Sequence, residues 1–472
     1  MKKLFLLLTA GILTMISCTV NDEYGYEIKN GTIVYNTPER PADQVCMIGF
    51  AAEPIDTVRV GFIGLGMRGP SAVDRFMYIE GVKVTALCDL YPERVAASQR
   101  ILTSRGLAPA AEYSGEEGWK DLCSSNDVDL VYIVTPWLTH TPMAVYAMEH
   151  GKHVAIEVPA AVDVDECWQL VNTAERTRRH CMMLENCVYD FFELTTLNMA
   201  QQGLFGEVIH AEGAYIHNLD PFWTSYQGNW RYDFNKSHRG DVYPTHGLGP
   251  ACWVLDIHRG DRMKTLVSMD TDVFNGKKLA RKMGEEDYAN GDHTTTLIRT
   301  EKGKTIEIQH NVVTPRPYNR MYQVEGTEGF ANKYPNEGYA IRTENRDIEG
   351  SKAFDDLSGS ARDGEAYLSN EVRDALMEQY KHPIVREIEE KARQVGGHGG
   401  MDFIMDYRLI YCLRNGLPLD QDVYDAAEWS CLGELTRVSI ENGNMPVTMP
   451  DFTRGDWNKT IGLKLGVVEN IR

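Results

Sequence analysis

The chain has 472 residues, of which 43% are hydrophobic, so it is long enough for two domains with buried cores and is not a disordered chain. Its 68 acidic residues outnumber its 48 lysines and arginines and give a formal net charge of -20. That excess repels phosphate backbones and anionic headgroups, which argues against a nucleic-acid partner and favours a neutral or polar small molecule as the ligand.

The N-terminal residues have the layout of a secretory signal. The stretch MKKLFLLLTAGILTMISC carries two lysines, an apolar run too short for a permanent anchor, and then Cys18. Its end, MISC, resembles a bacterial lipobox and predicts a signal peptide over residues 1–18 with a lipid on Cys18; an ordinary signal peptide with an incidental cysteine is the alternative. Either way we expect an exported protein, and the lipid would hold it on a bacterial cell membrane, at the outer membrane or on the periplasmic side.

Residues 19–55 are polar with scattered prolines and glycines, and are interpreted as a tether that can dock locally. After them, apolar runs with β-branched residues alternate with longer amphipathic segments. The predicted strands are TVRVGFIGLG, GVKVTALCD, DVDLVYIVTP, GKHVAIEVP and RHCMMLE. This alternation predicts βαβ units and a doubly wound parallel sheet of the Rossmann type over residues 56–187.

The pattern changes after Glu185. A predicted helix over residues 190–202 is followed by segments in which apolar and polar residues alternate, namely GEVIHAEGAYIHN, TLVSMDTDVF, HTTTLIRTEKGKTIEIQHNVV and MYQVEGTEG. The Lys-Gly turn in RTEKGKTIEI predicts a hairpin. Residues 188–472 are therefore predicted to form an α+β domain with a largely antiparallel sheet that covers the cleft of the first domain, and the final third is predicted to be helical and polar.

A dinucleotide fingerprint opens the first predicted domain. Gly64, Gly66 and Gly69 have the spacing G-x-G-x-x-G between a predicted strand and a predicted helix. Such glycines permit a tight turn and let backbone N–H groups approach a pyrophosphate at the helix N-terminus. Asp89, twenty residues beyond Gly69, ends a strand where it can accept bonds from the adenosine ribose, and its charge favours NAD over NADP. An acid that merely ends a surface strand is the alternative.

The next strand ends in TPWLTHTP. This places Trp137 and His140 at the C-terminal edge of the sheet, where ligands bind in open α/β folds. His140 either lines the cofactor pocket or is a solvated or capping residue.

Several of these segments together resemble those of a known superfamily. GFIGLGMRG, CDLYPERV, TPWLTHTPMAVYAMEHGKHVAIEVPAAV and LFGEVIHAEGAY resemble the Gfo/Idh/MocA oxidoreductase superfamily, from about residue 57 to at least residue 330. In the dehydrogenases of that superfamily the corresponding strand ends in Glu-Lys-Pro, and the lysine assists hydride transfer at a hydroxyl. This chain has Glu157, Val158 and Pro159 instead, and a valine cannot donate a proton. The chain is similar to one branch, glycoside hydrolase family 109, whose members carry EVP, NWRYD and YPTHGLGP.

That resemblance implies an NAD-dependent α-N-acetylgalactosaminidase that holds its cofactor tightly and regenerates it in each turnover. Oxidation of the sugar at C3 would acidify the proton on C2, so that a base removes it and the C1–O bond breaks by elimination. Water then adds at C1, C2 is reprotonated, and re-reduction at C3 completes a net hydrolysis, unlike the two-carboxylate route of most glycosidases.

The resemblance also assigns site residues by motif. The residues assigned to the cofactor are Gly64, Gly66, Met67, Arg68, Gly69, Asp89, Trp137, Leu138, Thr139, His140, Glu157, Val158 and Asn186. The residues assigned to the sugar are Tyr215, Arg231, Tyr243, Pro244, Thr245, His246 and Tyr318. Tyr322 lies close to Tyr318, which makes that last assignment the weakest, and each of these residues could be structural.

The stretch GDVYPTHGLGP supplies the candidate acid/base groups. Pro244 suits the first turn of a helix, so Tyr243 and His246 would flank the helix entrance and face one cleft. A helix N-terminus disfavours imidazolium, so a neutral His246 is the expected acid/base, with Tyr243 as its partner in proton transfer or substrate binding. Which of the two takes the C2 proton stays open, and a Tyr-Pro turn with a capping histidine is the alternative.

Two other functions compete with the glycosidase. One is a secreted NAD-dependent sugar oxidoreductase, against which Val158 counts; the other is a non-catalytic sugar-binding lipoprotein, which the fingerprint together with Tyr243 and His246 disfavours. We expect a glycan-terminal or free amino sugar as substrate, NAD as cofactor, and membrane contact only through the lipid. None of the ten cysteines stands in a C-x-x-C pair, so neither a metal site nor a disulfide scaffold is predicted, and a homo-oligomer is compatible with the sequence.

Overall fold

A computed structural model describes residues 25–343 and 360–467 of the chain. Cys18 and the predicted signal peptide lie outside the described residues. Within those residues, no helix is both long enough and apolar enough to cross a membrane.

The described chain begins with a hairpin, β1 (Tyr26–Lys29) and β2 (Thr32–Tyr35). Ile33 is fully buried, and its N–H donates to the carbonyl of Pro446 at 2.8 Å. Arg40, further along, pairs with the buried carboxylate of Glu175 at 3.1 Å. From residue 25 onward the segment is thus part of the fold, which corrects the expectation of a tether: alternate apolar residues give this polar segment one buried face.

The first domain contains six parallel strands, as the alternating pattern predicts. They are β3 (Val58–Ile63), β4 (Val82–Asp89), β5 (Ala111–Ser114), β6 (Leu130–Ile133), β7 (His153–Ile156) and β8 (Cys181–Met183). The helices between them are α1 (Gly69–Phe76), α2 (Pro92–Ser104), α3 (Gly118–Ser124), α4 (His140–Glu149) and α5 (Val164–Thr177). The strand order is β5-β4-β3-β6-β7-β8, the doubly wound topology. The sequence did not predict β5, because this edge strand is mostly exposed and has no apolar run.

The second domain is built on a ten-stranded sheet that includes β1 and β2. Its other strands are β9 (Val208–Ile216), β10 (Met263–Asp270), β11 (Thr294–Thr300), β12 (Thr305–Asn311), β13 (Asn319–Gly326), β14 (Gly329–Asn332), β15 (Gly338–Ile341) and β16 (Val447–Thr448). The order is β1-β2-β16-β10-β11-β12-β9-β13-β14-β15. Most pairs are antiparallel, and the pairs β12–β9 and β16–β2 are parallel. The predicted fold class, a Rossmann domain followed by an α+β domain, is confirmed.

Helices cover the inner face of this sheet and return to the first domain. They are α6 (Phe191–Gln201), α7 (Trp230–Ser237), α8 (Thr245–Val254), α9 (Asn275–Lys282), α10 (Ser360–Asp363), α11 (Asn370–Gln379), α12 (Pro383–Val395), α13 (Met401–Asn415) and α14 (Val423–Glu441). The last two are not polar as predicted, because they are buried between the domains. The buried carboxylate of Asp406 in α13 accepts hydrogen bonds from Arg75 at 2.8 Å and from Tyr132 at 2.9 Å, both in the first domain.

Helix α8 crosses strand β9 at backbone contact. A Cβ atom added at Gly213 of β9 would lie 2.2 Å from the carbonyl oxygen of Gly247 in α8, and one added at Gly247 would lie 2.2 Å from the Ala214 nitrogen. Only glycine at both positions allows this crossing. It brings the first turn of α8, which carries His246, beside the end of β9, which carries Tyr215.

Candidate active site

The turn between β3 and α1 forms a cradle with room for a dinucleotide. Gly64 has φ +95°, and a Cβ atom there would lie 2.5 Å from the carbonyl oxygen of Val134; one at Gly69 would lie 2.2 Å from the oxygen of Gly64. Gly66 faces only the flexible end of Arg94, at 3.3 Å. The cradle therefore fits a bound pyrophosphate at the start of α1, where the helix N-terminus favours negative charge.

Asp89 lies at the end of β4, as predicted, and its carboxylate braces the cradle. Oδ2 accepts a hydrogen bond from the N–H of Leu65 at 2.6 Å, and Oδ1 accepts one from Tyr91 at 3.0 Å. Each carboxylate oxygen has a second acceptor site. Asp89 can therefore hold the glycine turn and accept from ribose hydroxyls at once.

The predicted cofactor residues after β6 differ in their exposure to solvent. Leu138 is exposed, as is Met67 in the glycine turn, and both lie free to contact a ligand. Trp137 is buried. The ring of His140 braces two loops, because its nitrogens lie 2.8 Å from the oxygen of Pro159 and 2.7 Å from the oxygen of Thr135. The His140 ring is therefore buried and not solvated, and its place beside the cofactor stays a prediction.

Thr139 is half-buried, whereas Val158 is buried. The hydroxyl of Thr139 donates to the Pro136 oxygen at 2.7 Å. The side chain of Val158 is buried, so an apolar group that cannot transfer a proton occupies the position of a dehydrogenase lysine.

Two further predicted cofactor residues, Arg68 and Asn186, contact Asp402, which the sequence did not single out, and a third, Glu157, is linked to Asp402 through Arg68. Arg68 lies 3.4 Å from a carboxylate oxygen of Asp402 and 3.6 Å from one of Glu157. Asn186 donates to Asp402 at 2.5 Å, and His398 Nδ1 lies 2.9 Å from it. Burial alone would raise the pKa of Asp402, but the hydrogen bond from His398 and the nearby guanidinium groups hold that pKa well below its usual range.

His246 lies between a buried carboxylate and a phenol. Its Nδ1 is 2.8 Å from Glu185 Oε1, and its Nε2 is 3.4 Å from the hydroxyl of Tyr243. Burial would raise the pKa of Glu185, but His246 and the N–H of Cys187 hold that pKa below its ordinary value. A carboxylate at Nδ1 fixes the Nδ1–H tautomer and leaves Nε2 as the acceptor, the arrangement of a general base.

Pro244 and Thr245, also predicted for the sugar, build the local turn. Pro244 is the N-cap residue of α8, one position earlier than predicted, and Thr245 is fully buried. Their place in the site is to carry His246 on a rigid first turn.

Arg231 holds the aromatic wall beside His246. Its guanidinium carbon lies 4.7 Å from the ring centre of Tyr243, and its Nη2 donates to the hydroxyl of Tyr215 at 3.3 Å. Trp137 stacks on Tyr243 with ring centres 5.4 Å apart. Burial raises the pKa of Tyr243 well above its ordinary value, against the lowering effect of Arg231, so the phenol keeps its proton.

Tyr318 lies at the outer end of this wall. Its ring centre is 5.1 Å from that of His217, whose Nδ1 is 3.0 Å from the hydroxyl of Tyr215. Tyr322, the alternative position, is buried and its hydroxyl is within 3.5 Å of the carbonyl of Glu193. Of the two tyrosines, Tyr318 therefore borders the cleft.

Glu185, Cys187 and His246 place three potential metal-ligand atoms within 4.8 Å of one another. The sulfur of Cys187 accepts a hydrogen bond from Arg320 Nη1 at 2.6 Å. A guanidinium at that point opposes a cation, and the absence of a metal site stays a prediction.

Two family models match the chain. Residues 58–185 match the oxidoreductase family with the NAD-binding Rossmann fold, and residues 189–459, more than half of the chain, match the C-terminal domain of glycosyl hydrolase 109. The chain belongs to glycosyl hydrolase family 109. Its first domain is an NAD-binding Rossmann domain, and the family name indicates an NAD-dependent glycoside hydrolase.

Relatives within family 109 extend over nearly the whole chain. Glycosyl hydrolase family 109 protein 1 of Phocaeicola vulgatus is 63% identical over 429 residues, 90% of each chain. The protein of the same name from Bacteroides thetaiotaomicron is 59% identical and covers 99% of this chain and 100% of its own. The solved structure of a levoglucosan dehydrogenase in complex with NADH matches with a TM-score of 0.63 at 16% identity, over 84% of this chain and 100% of its own. At that identity it supports the fold alone.

Four side chains of this family 109 site were missed by the sequence interpretation: Glu185, His217, His398 and Asp402. Glu185 had a signal, because an acid that ends a strand of a parallel sheet points to the ligand edge. His217, two residues beyond Tyr215 on the same strand, also had one, since alternate residues share a face. His398 and Asp402 had none, because their partner Arg68 is 334 residues from Asp402 along the chain.

Proposed function

We propose that this protein is an NAD-dependent α-N-acetylgalactosaminidase that removes a terminal amino sugar by elimination and re-addition. The observation that carries the proposal is the Glu185–His246–Tyr243 contact series, in which one imidazole is oriented by a carboxylate at 2.8 Å and faces a protonated phenol. Such a group takes and returns protons, and it lies beside the arginine and tyrosines that would bind hydroxyl groups.

Bound NAD supplies reversible hydride transfer at C3 of the sugar. The residues of this chain then move protons. With a carbonyl at C3, His246 Nε2 takes the proton from C2, and the pair of electrons left behind expels the oxygen at C1. Arg231 and Tyr215 hold the sugar by its oxygens, and His246 returns the proton to C2 after water has added at C1.

A second histidine–carboxylate pair is available to take the proton that the C3 hydroxyl loses on oxidation and to pass it to the leaving oxygen. His398 is bonded to Asp402 at 2.9 Å, and its Nδ1 lies 3.5 Å from the side-chain nitrogen of Asn186, the residue after the Glu185 that holds His246. Two proton carriers at separate places are what an elimination followed by water addition requires.

Val158 supports a glycosidase over a redox enzyme. In the sugar dehydrogenases that the first domain resembles, a lysine assists hydride transfer at the reacting hydroxyl, and here that position holds a buried valine. The proposed reaction ends with no net redox change and depends on proton transfer at C2.

The test is hydrolysis of a nitrophenyl α-N-acetylgalactosaminide in deuterated water. We expect nitrophenol, deuterium at C2 of the released sugar and no accumulated NADH. NADH in proportion to enzyme without nitrophenol would favour a sugar oxidoreductase, and binding without turnover would favour a sugar-binding lipoprotein. Nitrophenol with protium kept at C2 would contradict the elimination.

We also propose that the protein is exported and anchored by a lipid on Cys18, as the MISC lipobox indicates. In a bacterial host fed an alkyne-labelled fatty acid, the full chain should carry the label and sediment with membranes. Cys18→Ser should lose both properties, whereas Cys46→Ser, at a half-buried thiol, should keep them. Equal labelling of the Cys18→Ser chain would contradict the anchor.

A further inference from the structure

Two exposed aromatic rings stand at the mouth of the cleft. Phe222, between β9 and α7, is 45% exposed, and Tyr318, just before β13, is 43% exposed. Both pack on His217, with ring centres 5.8 Å and 5.1 Å away. Scattered exposed apolar residues are ordinary on protein surfaces. Here, however, two rings from separate loops pack on the same active-site histidine, so they are not scattered surface residues.

Both loops are held by local hydrogen bonds, to a backbone carbonyl in one and to the Asn311 side chain in the other. The N–H groups of Phe222 and Trp223 donate to the carbonyl of the buried Leu219, at 2.7 Å and 3.1 Å, and Trp223 is itself buried. In the other loop, Asn311 Oδ1 accepts from the N–H of Thr314 at 3.2 Å and from its hydroxyl at 2.9 Å. The rings are therefore held in place before any ligand arrives, which lowers the entropy cost of binding.

His217 adds a hydrogen-bond donor between the rings. The hydroxyl of Tyr215 accepts from Arg231 at 3.3 Å, so its own proton is directed at His217 Nδ1, 3.0 Å away. That contact makes Nε2 the N–H of the imidazole. Burial, together with the charge of Arg231, lowers the pKa of His217, so the ring is neutral.

We propose that Phe222, His217 and Tyr318 form a subsite for the neutral sugar unit to which the cleaved amino sugar is attached. This inference rests on the proposed function. The C–H groups of a sugar ring carry slight positive charge and pack on the negative face of an aromatic ring. His217 would donate to an oxygen of the same unit, and Tyr215 joins this subsite to the inner site.

The test compares two substrates that share the cleaved sugar. In α-N-acetylgalactosaminyl fluoride the leaving group is one atom, whereas in a disaccharide with the same terminal sugar it is a second ring. We expect Phe222→Ala to lower the ratio of kcat/KM for the disaccharide to kcat/KM for the fluoride by about 5- to 10-fold. The matched control is Phe274→Ala, which removes a 64% exposed phenylalanine before α9, outside the cleft, and should leave the ratio as in the wild type.

A binding measurement separates the two proposals. Calorimetry in a His246→Ala background, with and without Phe222→Ala, compares the disaccharide with free N-acetylgalactosamine. If the wild type cleaves neither substrate but the disaccharide binds more tightly and loses that advantage in Phe222→Ala, the function proposed above is wrong and the subsite stands. Suppose that the wild type cleaves both substrates and that Phe222→Ala changes neither the kcat/KM ratio nor the relative affinity for the disaccharide. The subsite is then overturned and the function stands. Absence of both cleavage and binding overturns both.

Discussion

At the scale of single residues, the chemistry depends on what stands behind His246. An imidazole alone exchanges its proton between two nitrogens, and only one arrangement leaves Nε2 free to take a proton. Glu185, buried and ionised, selects that arrangement from the far side of the ring. Removing the charge while keeping the shape of Glu185 should therefore affect proton transfer more than folding.

His246→Ala should lower kcat by about 100- to 10,000-fold, the usual contribution of a general base, while bound NAD remains detectable. Glu185→Gln should lower kcat with little change in KM, because the tautomer is no longer fixed. Steady-state kinetics and the absorbance of NAD released on denaturation check both variants. Full activity in His246→Ala would overturn the assignment.

Asp241 makes stability depend on pH. Its Oδ1 accepts from the N–H of Tyr243 at 3.1 Å, its Oδ2 has no hydrogen-bond partner among the described residues, and burial raises its pKa from 3.8 to about 7. The folded state keeps a proton that the unfolded state releases, so this contribution to stability is complete below the unfolded pKa and is lost as pH rises through the folded one.

We expect Asp241→Asn to raise the Tm by a few degrees at about pH 8 and to leave it nearly unchanged at about pH 3, below the unfolded pKa, where the wild-type carboxyl is largely protonated in both states. Thermal unfolding followed by circular dichroism at both pH values is the measurement. A shift of equal size at the two values would show that the effect is packing and not titration.

At the scale of elements, glycines do two different things: some allow close packing within the protein, and others leave space for a ligand. Gly213 and Gly247 let α8 touch β9, a contact within the protein. Gly66 instead leaves open space on the ligand side of the turn before α1, since only the end of Arg94 approaches it. We therefore expect substitution of the first kind to reduce stability and substitution of the second kind to reduce NAD binding.

Gly66→Ala should have the Tm of the wild type when both are free of NAD, because the added methyl group meets only a flexible side chain in the protein. As purified, it should have lost most of the bound NAD, because the methyl group narrows the cradle. Gly69→Ala should lose both stability and NAD, since its Cβ would lie 2.2 Å from the oxygen of Gly64. Differential scanning fluorimetry and the NAD content of the purified protein distinguish them. Undiminished NAD in Gly66→Ala would contradict the cradle.

At the scale of the whole molecule, the N-terminal hairpin completes the larger sheet. A chain that starts at residue 36 lacks the buried side chains of Ile33 and Tyr35 and leaves β16 as an open edge. We expect it to be less stable than a chain that starts at residue 25 by about 2 to 5 kcal/mol, the cost of deleting large buried side chains. Urea unfolding of the two chains checks this, and equal midpoints would show that the hairpin only rests on the surface.

The sequence predicted the fold where its signals are local. The strands of the first domain are continuous apolar runs, and the glycine turn with Asp89 follows within one βαβ unit, so fold class and cofactor cradle could both be predicted. Arg231, Tyr243 and His246 were also predicted, and the structure brings them together, but only the resemblance to family 109 singled them out.

The remaining features depend on contacts between distant parts of the chain. Asp402 contacts Arg68, which is 334 residues away along the chain, and no spacing in the sequence predicts that contact. The burial of His140 depends on the carbonyl of Pro159, nineteen residues further on. The pairing of β2 with β16 likewise needs a two-residue strand, Val447–Thr448, that is too short to show a pattern.

That same pairing has a consequence for the timing of folding. A ribosome makes β2 among the first residues of the chain and β16 among the last, yet Val447 lies opposite Ile33 and Thr448 opposite Val34. Domains generally fold as they emerge, starting from the N-terminus. Here the β1–β2 hairpin can pair only within itself until residue 448 has been added, so it joins the large sheet in a late step of folding.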